Sequence, residues 1–254
     1  QQLERFGDAQ EFLLKKLEEP NAQAVLYVEL GYNYTLQQLP EKALENYNRA
    51  ISKIDENPNY GYIIGLRFQK YALLDYAIKA YTRGMELNPQ MDLNFQLARI
   101  YGEQGDIEKM YQSYLTLLID GGTSQAVVLK NIGDFISSDP NNPNNLTFKK
   151  VLLRNAQENP DLLWNQMLSW LFVQQNQFKS AFDQERAIYK RSESGSLQRL
   201  EGLGALALEA KDFESATKIF QFIGDNAHDG RTKLRAQLNL IDLALKDPNE
   251  KLLG

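Results

Sequence analysis

Cysteine is absent from this 254-residue chain, and histidine occurs once, as His228. The first absence excludes disulfides, thiol nucleophiles and cysteine-ligated metal clusters; the second excludes a multi-histidine metal site. Basic charge is in deficit: 28 Lys and Arg face 33 Asp and Glu, for a net charge of −5 and a pI near 5.1. Nucleic-acid surfaces need a local cationic excess, so no nucleic-acid partner is expected. No apolar run reaches the roughly 18 residues that would span a bilayer, so direct membrane insertion is not expected either. What is present is an ordinary folding composition, 43% hydrophobic and 24% charged.

Repetition organises the chain. Leu30-Gly31 is followed by Tyr34, Ala43 and Tyr47, and Ile64-Gly65 by Phe68, Ala77 and Tyr81, each 34 residues later. Leu97-Ala98 leads to Tyr101, Gly105 and Tyr114, Leu168-Ser169 to Ala181, and Leu203-Gly204 to Ala216 and Phe220, with Ile132-Gly133 as a looser copy. The small residues Gly31, Gly65, Ala98, Gly133, Ser169 and Gly204 thus recur at steps of 34, 33, 35, 36 and 35. A fixed step of this size marks a chain built from stacked supersecondary units.

Each repeat holds two helices. Segments 24–37 and 41–54 carry apolar residues at helical spacing, and Pro40 stands at the start of a second helix, where its lost N–H would be unpaired anyway. Asp106, Asn176 and Asp212 hold the corresponding turn in later repeats and are expected to cap the helices that follow. Asn57-Pro58, Asn88-Pro89 and Asn159-Pro160 close repeats, because the residue before proline avoids helical geometry.

These residues resemble the tetratricopeptide repeat. Tyr27, Leu30, Gly31, Tyr34, Ala43, Tyr47 and Ala50 match its pattern in one copy; Ile64, Gly65, Phe68, Ala77, Tyr81 and Pro89 match in the next. The resemblance implies an all-α, right-handed α-α superhelix of about six helix-turn-helix repeats forming a single domain over 1–254. Its repeats fall at about 1–23 (half), 24–57, 58–90, 91–125, 126–161 (irregular), 162–196, 197–230 and 231–254 (half, or a cap). Two departures stand out: the long linker around 137–145, and Glu185 where an aromatic belongs. Because residues 1–20 read as a second helix without its first, a stretch of a longer, bacterial repeat protein is expected.

Candidate chemistry is sparse. His228 lies in a turn-rich segment with no nucleophile beside it, and reads as a solvated loop histidine. Gly121-Gly122 and Gly202-Leu203-Gly204 lack the context of a phosphate loop. Asp139-Pro140-Asn141-Asn142 lacks the glycine and terminal glutamate of a calcium loop. Asn33-Tyr34-Thr35 and Asn145-Leu146-Thr147 match a glycosylation triplet that is common by chance. No enzyme activity, metal or cofactor is expected.

The resemblance implies instead a concave groove lined by first helices. Its lining positions carry over to Val25, Val28, Tyr32, Thr35 and Leu36, then Asn59, Tyr62, Leu66, Gln69 and Lys70, then Asp92, Phe95, Arg99 and Glu103. Leu163, Gln166, Trp170, Val173 and Gln174 follow in a later repeat. Tyr32, Tyr62, Leu66, Gln69, Phe95, Arg99 and Trp170 are the candidates for binding a protein or peptide segment, although Tyr32, Tyr62 and Trp170 equally fit packing on a neighbouring helix. The chaperone-binding carboxylate clamp is not matched, since Val28 and Tyr32 stand at its first positions. The expected function is a non-enzymatic interaction scaffold. An assembly factor of a bacterial cell-envelope complex, with a periplasmic location favoured over the cytoplasm, and a targeting arm of a larger protein are the alternatives.

Overall fold

A computed structural model describes residues 5–20, 22–191 and 196–246. All regular structure among them is helical: α1 (Phe6–Leu17), α2 (Val25–Leu36), α3 (Pro40–Glu56), α4 (Tyr60–Lys70), α5 (Leu74–Leu87), α6 (Asn94–Gln104) and α7 (Ile107–Ile119) come first. They are followed by α8 (Gln125–Ile132), α9 (Pro143–Glu158), α10 (Leu162–Gln174), α11 (Phe178–Arg191), α12 (Gln198–Glu209), α13 (Phe213–Asn226) and α14 (Gly230–Lys246). The chain divides into two compact halves, residues 1–128 and 129–254, and α8 straddles the division. In the first half the hairpins α2–α3, α4–α5 and α6–α7 follow α1; in the second, α10–α11 and α12–α13 lie between α9 and α14. Both halves are all-α helical-repeat structures, as the spacing implies.

One turn geometry joins the two helices of every regular repeat. Gln38, Ala72, Gly105, Asn176 and Lys211 all adopt a left-handed conformation, with φ between 54° and 76°. The residue after each donates its N–H five positions back: Leu39 to Tyr34, Leu73 to Phe68, Asp106 to Tyr101, Gln177 to Phe172 and Asp212 to Ala207. That is the Schellman closure, which satisfies carbonyls the helix end leaves open. Asp106 and Asp212 then cap the next helix by accepting from the N–H groups of Lys109 and Ser215. Asn176 does not share this role: it sits one position earlier and is itself the left-handed residue, a conformation asparagine tolerates. In the third repeat Gly105 is likewise the turn residue, and Met110 takes the buried place that Ala43 and Ala77 hold in the first two.

Across each hairpin a small residue faces the residue sixteen positions later. A Cβ on Gly31 would collide with the Tyr47 ring, and one on Gly65 with the Tyr81 ring. A Cβ on Gly204 would stand 2.8 Å from Cζ of Phe220. These glycines let two helix axes approach around an aromatic ring, and in the first half the Tyr47 and Tyr81 rings belong to one core cluster that extends from Leu13 to Ile100. Gly133 departs from the pattern. It opens a short 3-10 turn (133–135), and nothing lies within 4 Å of the place its Cβ would take. The loop after it is organised by Asn145 instead. The Asn145 amide donates to the carbonyls of Ser137 and Asp139 at 2.7 and 2.8 Å and accepts from the Ser137 N–H at 3.1 Å.

Where Glu185 replaces the aromatic, Ser169 replaces the glycine, and a polar contact fills the seam. Ser169 Oγ donates to the Glu185 carboxylate at 2.5 Å. From the next hairpin Arg199 donates a two-pronged pair of bonds, each 2.7 Å. Glu185 is only 4% exposed, whereas Arg199 keeps 45% of its side chain in solvent. A carboxylate removed from water in this way is tolerated only while its donors remain.

Two outcomes are expected in urea melts. Ala72→Gly relieves the left-handed strain of an alanine and should stabilise the chain by up to about 1 kcal/mol, the excess of that strain over glycine's larger unfolded-state entropy. Arg199→Ala should destabilise by about 2–3 kcal/mol, reduced from the full buried-pair value because solvent reaches the arginine side. The triple replacement Ser169→Gly, Glu185→Tyr, Arg199→Leu should recover that loss by restoring an aromatic on a small residue.

Candidate functional site

The expected groove residues separate into those that pack and those that project. Tyr32 packs: its ring stacks on that of Tyr71, centroids 3.8 Å apart and planes within 11°. Beside them Glu29 of α2 accepts from the Tyr71 hydroxyl at 2.5 Å and pairs with Arg67 of α4. Val25 and Val28 are buried in the core. Joined in this way, Glu29, Tyr32, Arg67 and Tyr71 form part of the lining of a cleft of about 1140 Å³ between α1, α2 and α4. Trp170 meets the buried Phe148 ring edge-to-face at 6.4 Å.

Between α4 and α6 the surface is open. Tyr62 and Leu66 are 40% and 41% exposed. Below them, Gln69 accepts from the Tyr81 hydroxyl at 2.5 Å. Across the gap Phe95 leans edge-to-face on Tyr114 at 6.0 Å. Arg99 is exposed and makes no ion pair among the described residues. Burial pushes the Tyr81 hydroxyl well above the ordinary tyrosine range; Tyr62 adds to this and the Arg99 charge opposes it. Arg99 also pulls on Tyr114, against the burial that raises it. Both hydroxyls therefore remain protonated at physiological pH and leave the Arg99 charge uncompensated. This patch pairs one uncompensated cation with an apolar surface that two hydrogen-bonded or ring-ring contacts hold from beneath.

A second cleft, of about 870 Å³, lies in the other half between α12 and α14, over a floor from α13. Glu201, Ala205, Leu208 and Glu209 form one wall; Arg235, Ala236 and Asn239 form the other; Phe220 and Ile223 lie below. The sequence reading passed over these residues. The same lining positions counted from Gly204 lead to Glu201, Ala205, Leu208 and Glu209, so the signal was there.

The remaining motifs are structural. Exposed His228 precedes Asp229, whose carboxylate accepts from the Thr232 N–H and opens α14. Gly121 ends α7 in a left-handed turn. Asp139 and Asn142 use side-chain oxygens to hold the N–H groups of Asn141 and Asn144. Asn33 is buried and donates to the Phe6 carbonyl, and Asn145 is buried in its loop, so neither amide is accessible to a sugar in the folded chain.

No family model matches the chain, and no curated protein matches it. Among solved structures it is similar to the C-terminal part of a TPR repeat-containing protein from Cytophaga hutchinsonii, at 13% identity. That alignment covers 96% of this chain and 93% of the other, with a TM-score of 0.34. A tetratricopeptide repeat protein from Parabacteroides merdae aligns at 16% identity over 95% and 93%, with a TM-score of 0.31. Yeast Tom70 aligns at 15% over 97% of this chain and 61% of its own, with a TM-score of 0.25. At such overlaps the fold assignment rests on this chain's own helices and seams.

The Tyr71 hydroxyl gives a pH test of its contact with Glu29 across α2 and α4. Burial first, and then Glu29, push it from the usual 10.0 up to about 12, with Arg67 opposing. The folded chain holds this proton more tightly than the unfolded chain does. Its contribution is therefore complete below about pH 10 and is lost as the pH rises towards 12. Urea melts across that range should show the loss, and Tyr71→Phe should reduce its slope, the raised Tyr81 and Tyr114 hydroxyls carrying part of the remainder.

Proposed function

We propose that this protein is a non-enzymatic interaction scaffold that binds a peptide or protein segment on the first-helix face of α4 and α6. The supporting observation is the open patch of Tyr62 and Leu66, with Gln69, Phe95 and the unpaired Arg99 around it. Aromatic and arginine side chains dominate binding energy where a partner can remove them from water. Two side chains of the patch are already positioned, Gln69 by its bond from Tyr81 and Phe95 by the Tyr114 ring. Pre-placed side chains lose little rotamer freedom on binding, which lowers the ordering cost of capturing a flexible segment. Tyr32 and Trp170 belong to this reading as supports, through their ring contacts, rather than as anchors.

The test is selection of peptides from a random display library against the whole chain. Selected peptides should bind the Tyr62→Ala/Arg99→Ala variant at least about tenfold more weakly, a loss of about 1.4 kcal/mol. They should bind Leu206→Ala, an exposed position on α12, as they bind wild type. Equal affinity for wild type and the double variant would overturn the assignment.

A further inference from the structure

The helix α14 turns one face to the protein and a different face to solvent. Ala236 and Leu243 are buried, and the four large aliphatic residues Leu234, Leu238, Ile241 and Leu245 are 57%, 58%, 58% and 66% exposed. Their spacing is 4, 3 and 4 residues. That is the a/d seam of a coiled coil, with Leu238 and Leu245 at a, and Leu234 and Ile241 at d. Ala236 and Leu243 then fall at f, the position opposite the seam, as their burial requires.

We propose that α14 is a self-association surface, and that its partner is the α14 of a second copy, packed antiparallel about a two-fold axis. The spacing 4-3-4 reads the same in both directions. An antiparallel copy therefore sets Leu238 against Ile241 of its partner and Leu234 against Leu245, so that a positions meet d positions throughout.

Charge selects the same direction. The flanking e positions are Arg235 and Asp242, and the flanking g positions are the neutral Gln237 and Ala244. Antiparallel helices bring e against e, which places Arg235 of each copy beside Asp242 of the other. Parallel helices bring e against g, where no charge is matched. Within one copy these side chains make solvent-exposed ion pairs, which contribute little and can be exchanged for others. Arg235 reaches Glu201 at 3.3 Å, and Asp242 pairs with Lys246 one turn away at 2.6 Å on the surface.

The seam from Leu234 to Leu245 is twelve residues long, about 17 Å over its eleven helical rises, and would be too short for two isolated peptides. Here the helix is already formed and held by α13, so association does not have to order it. An interface of this length lies at the low end of specific contacts, on the order of 1,000 Å² in total, the size of weak, reversible association. It is isologous, so growth stops at two copies.

Sedimentation equilibrium of the whole chain from about 1 to 300 μM tests this. The mass should rise from one chain towards two. Leu238→Glu, a change at an exposed position, should remain a monomer with an unaltered helical spectrum. Arg235→Glu and Asp242→Arg should each weaken the dimer at least about fivefold by opposing like charges, about 1 kcal/mol. The double exchange Arg235→Glu/Asp242→Arg should restore it, because the e–e match returns with its signs reversed. A monomer at every concentration, dimerisation that survives Leu238→Glu, assemblies beyond two copies, or charge exchanges without effect would each overturn the proposal.

Discussion

Close approach of two helices around a single side chain is the constraint from which the regular repeats follow. Gly31, Gly65 and Gly204 leave room for the rings of Tyr47, Tyr81 and Phe220, and the left-handed turn between the helices fixes which residues meet. Bare small-on-small contact would leave a void, and large-on-large contact would push the axes apart; the mixed pair fills the space at packing distance. Once the hairpins are set in this way, their first helices present the next ring of side chains outward. Leu66 and Arg99 are exposed because the residues beside them, Gly65 and Ala98, face inward.

The same constraint shows what a polar exception requires. Glu185 occupies a ring's place but cannot be left with apolar neighbours, so the opposing residue becomes a hydroxyl and the following hairpin supplies a guanidinium. Three changes at separate points of the sequence, at positions 169, 185 and 199, are therefore one structural feature. In the irregular fourth repeat the constraint is absent altogether. Gly133 faces no ring, and side-chain amide bonds from Asn145 do the organising that packing does elsewhere.

Much of the fold could be read from residue spacing, because small-residue steps, closing Asn-Pro pairs and Pro40 each act locally through backbone geometry. Spacing was less informative where an outcome depends on a neighbour from another helix. Asn176 looks like a cap, but the backbone around it makes it the turn residue itself. Tyr32 and Leu66 hold the same place in successive repeats. One is covered by Tyr71 and the other is open, a difference set by what the following repeat supplies. Val28 stands where Tyr62 stands one repeat later, yet lies in the core. The cleft beside Glu201 and Ala205 followed the same numbering rule as the α4–α6 patch and could have been found by applying it once more.

The Glu185–Arg199 contact gives two otherwise interchangeable building blocks a lock and a key. A hairpin whose ring-and-glycine seam closes within itself depends less on the identity of the hairpin that follows. A copy of α10–α11 placed before another hairpin would carry a carboxylate with no cation to meet it. Tandem duplication in this part of the chain must then move α10–α13 as one cassette, so a lineage of such proteins would gain or lose these four helices together.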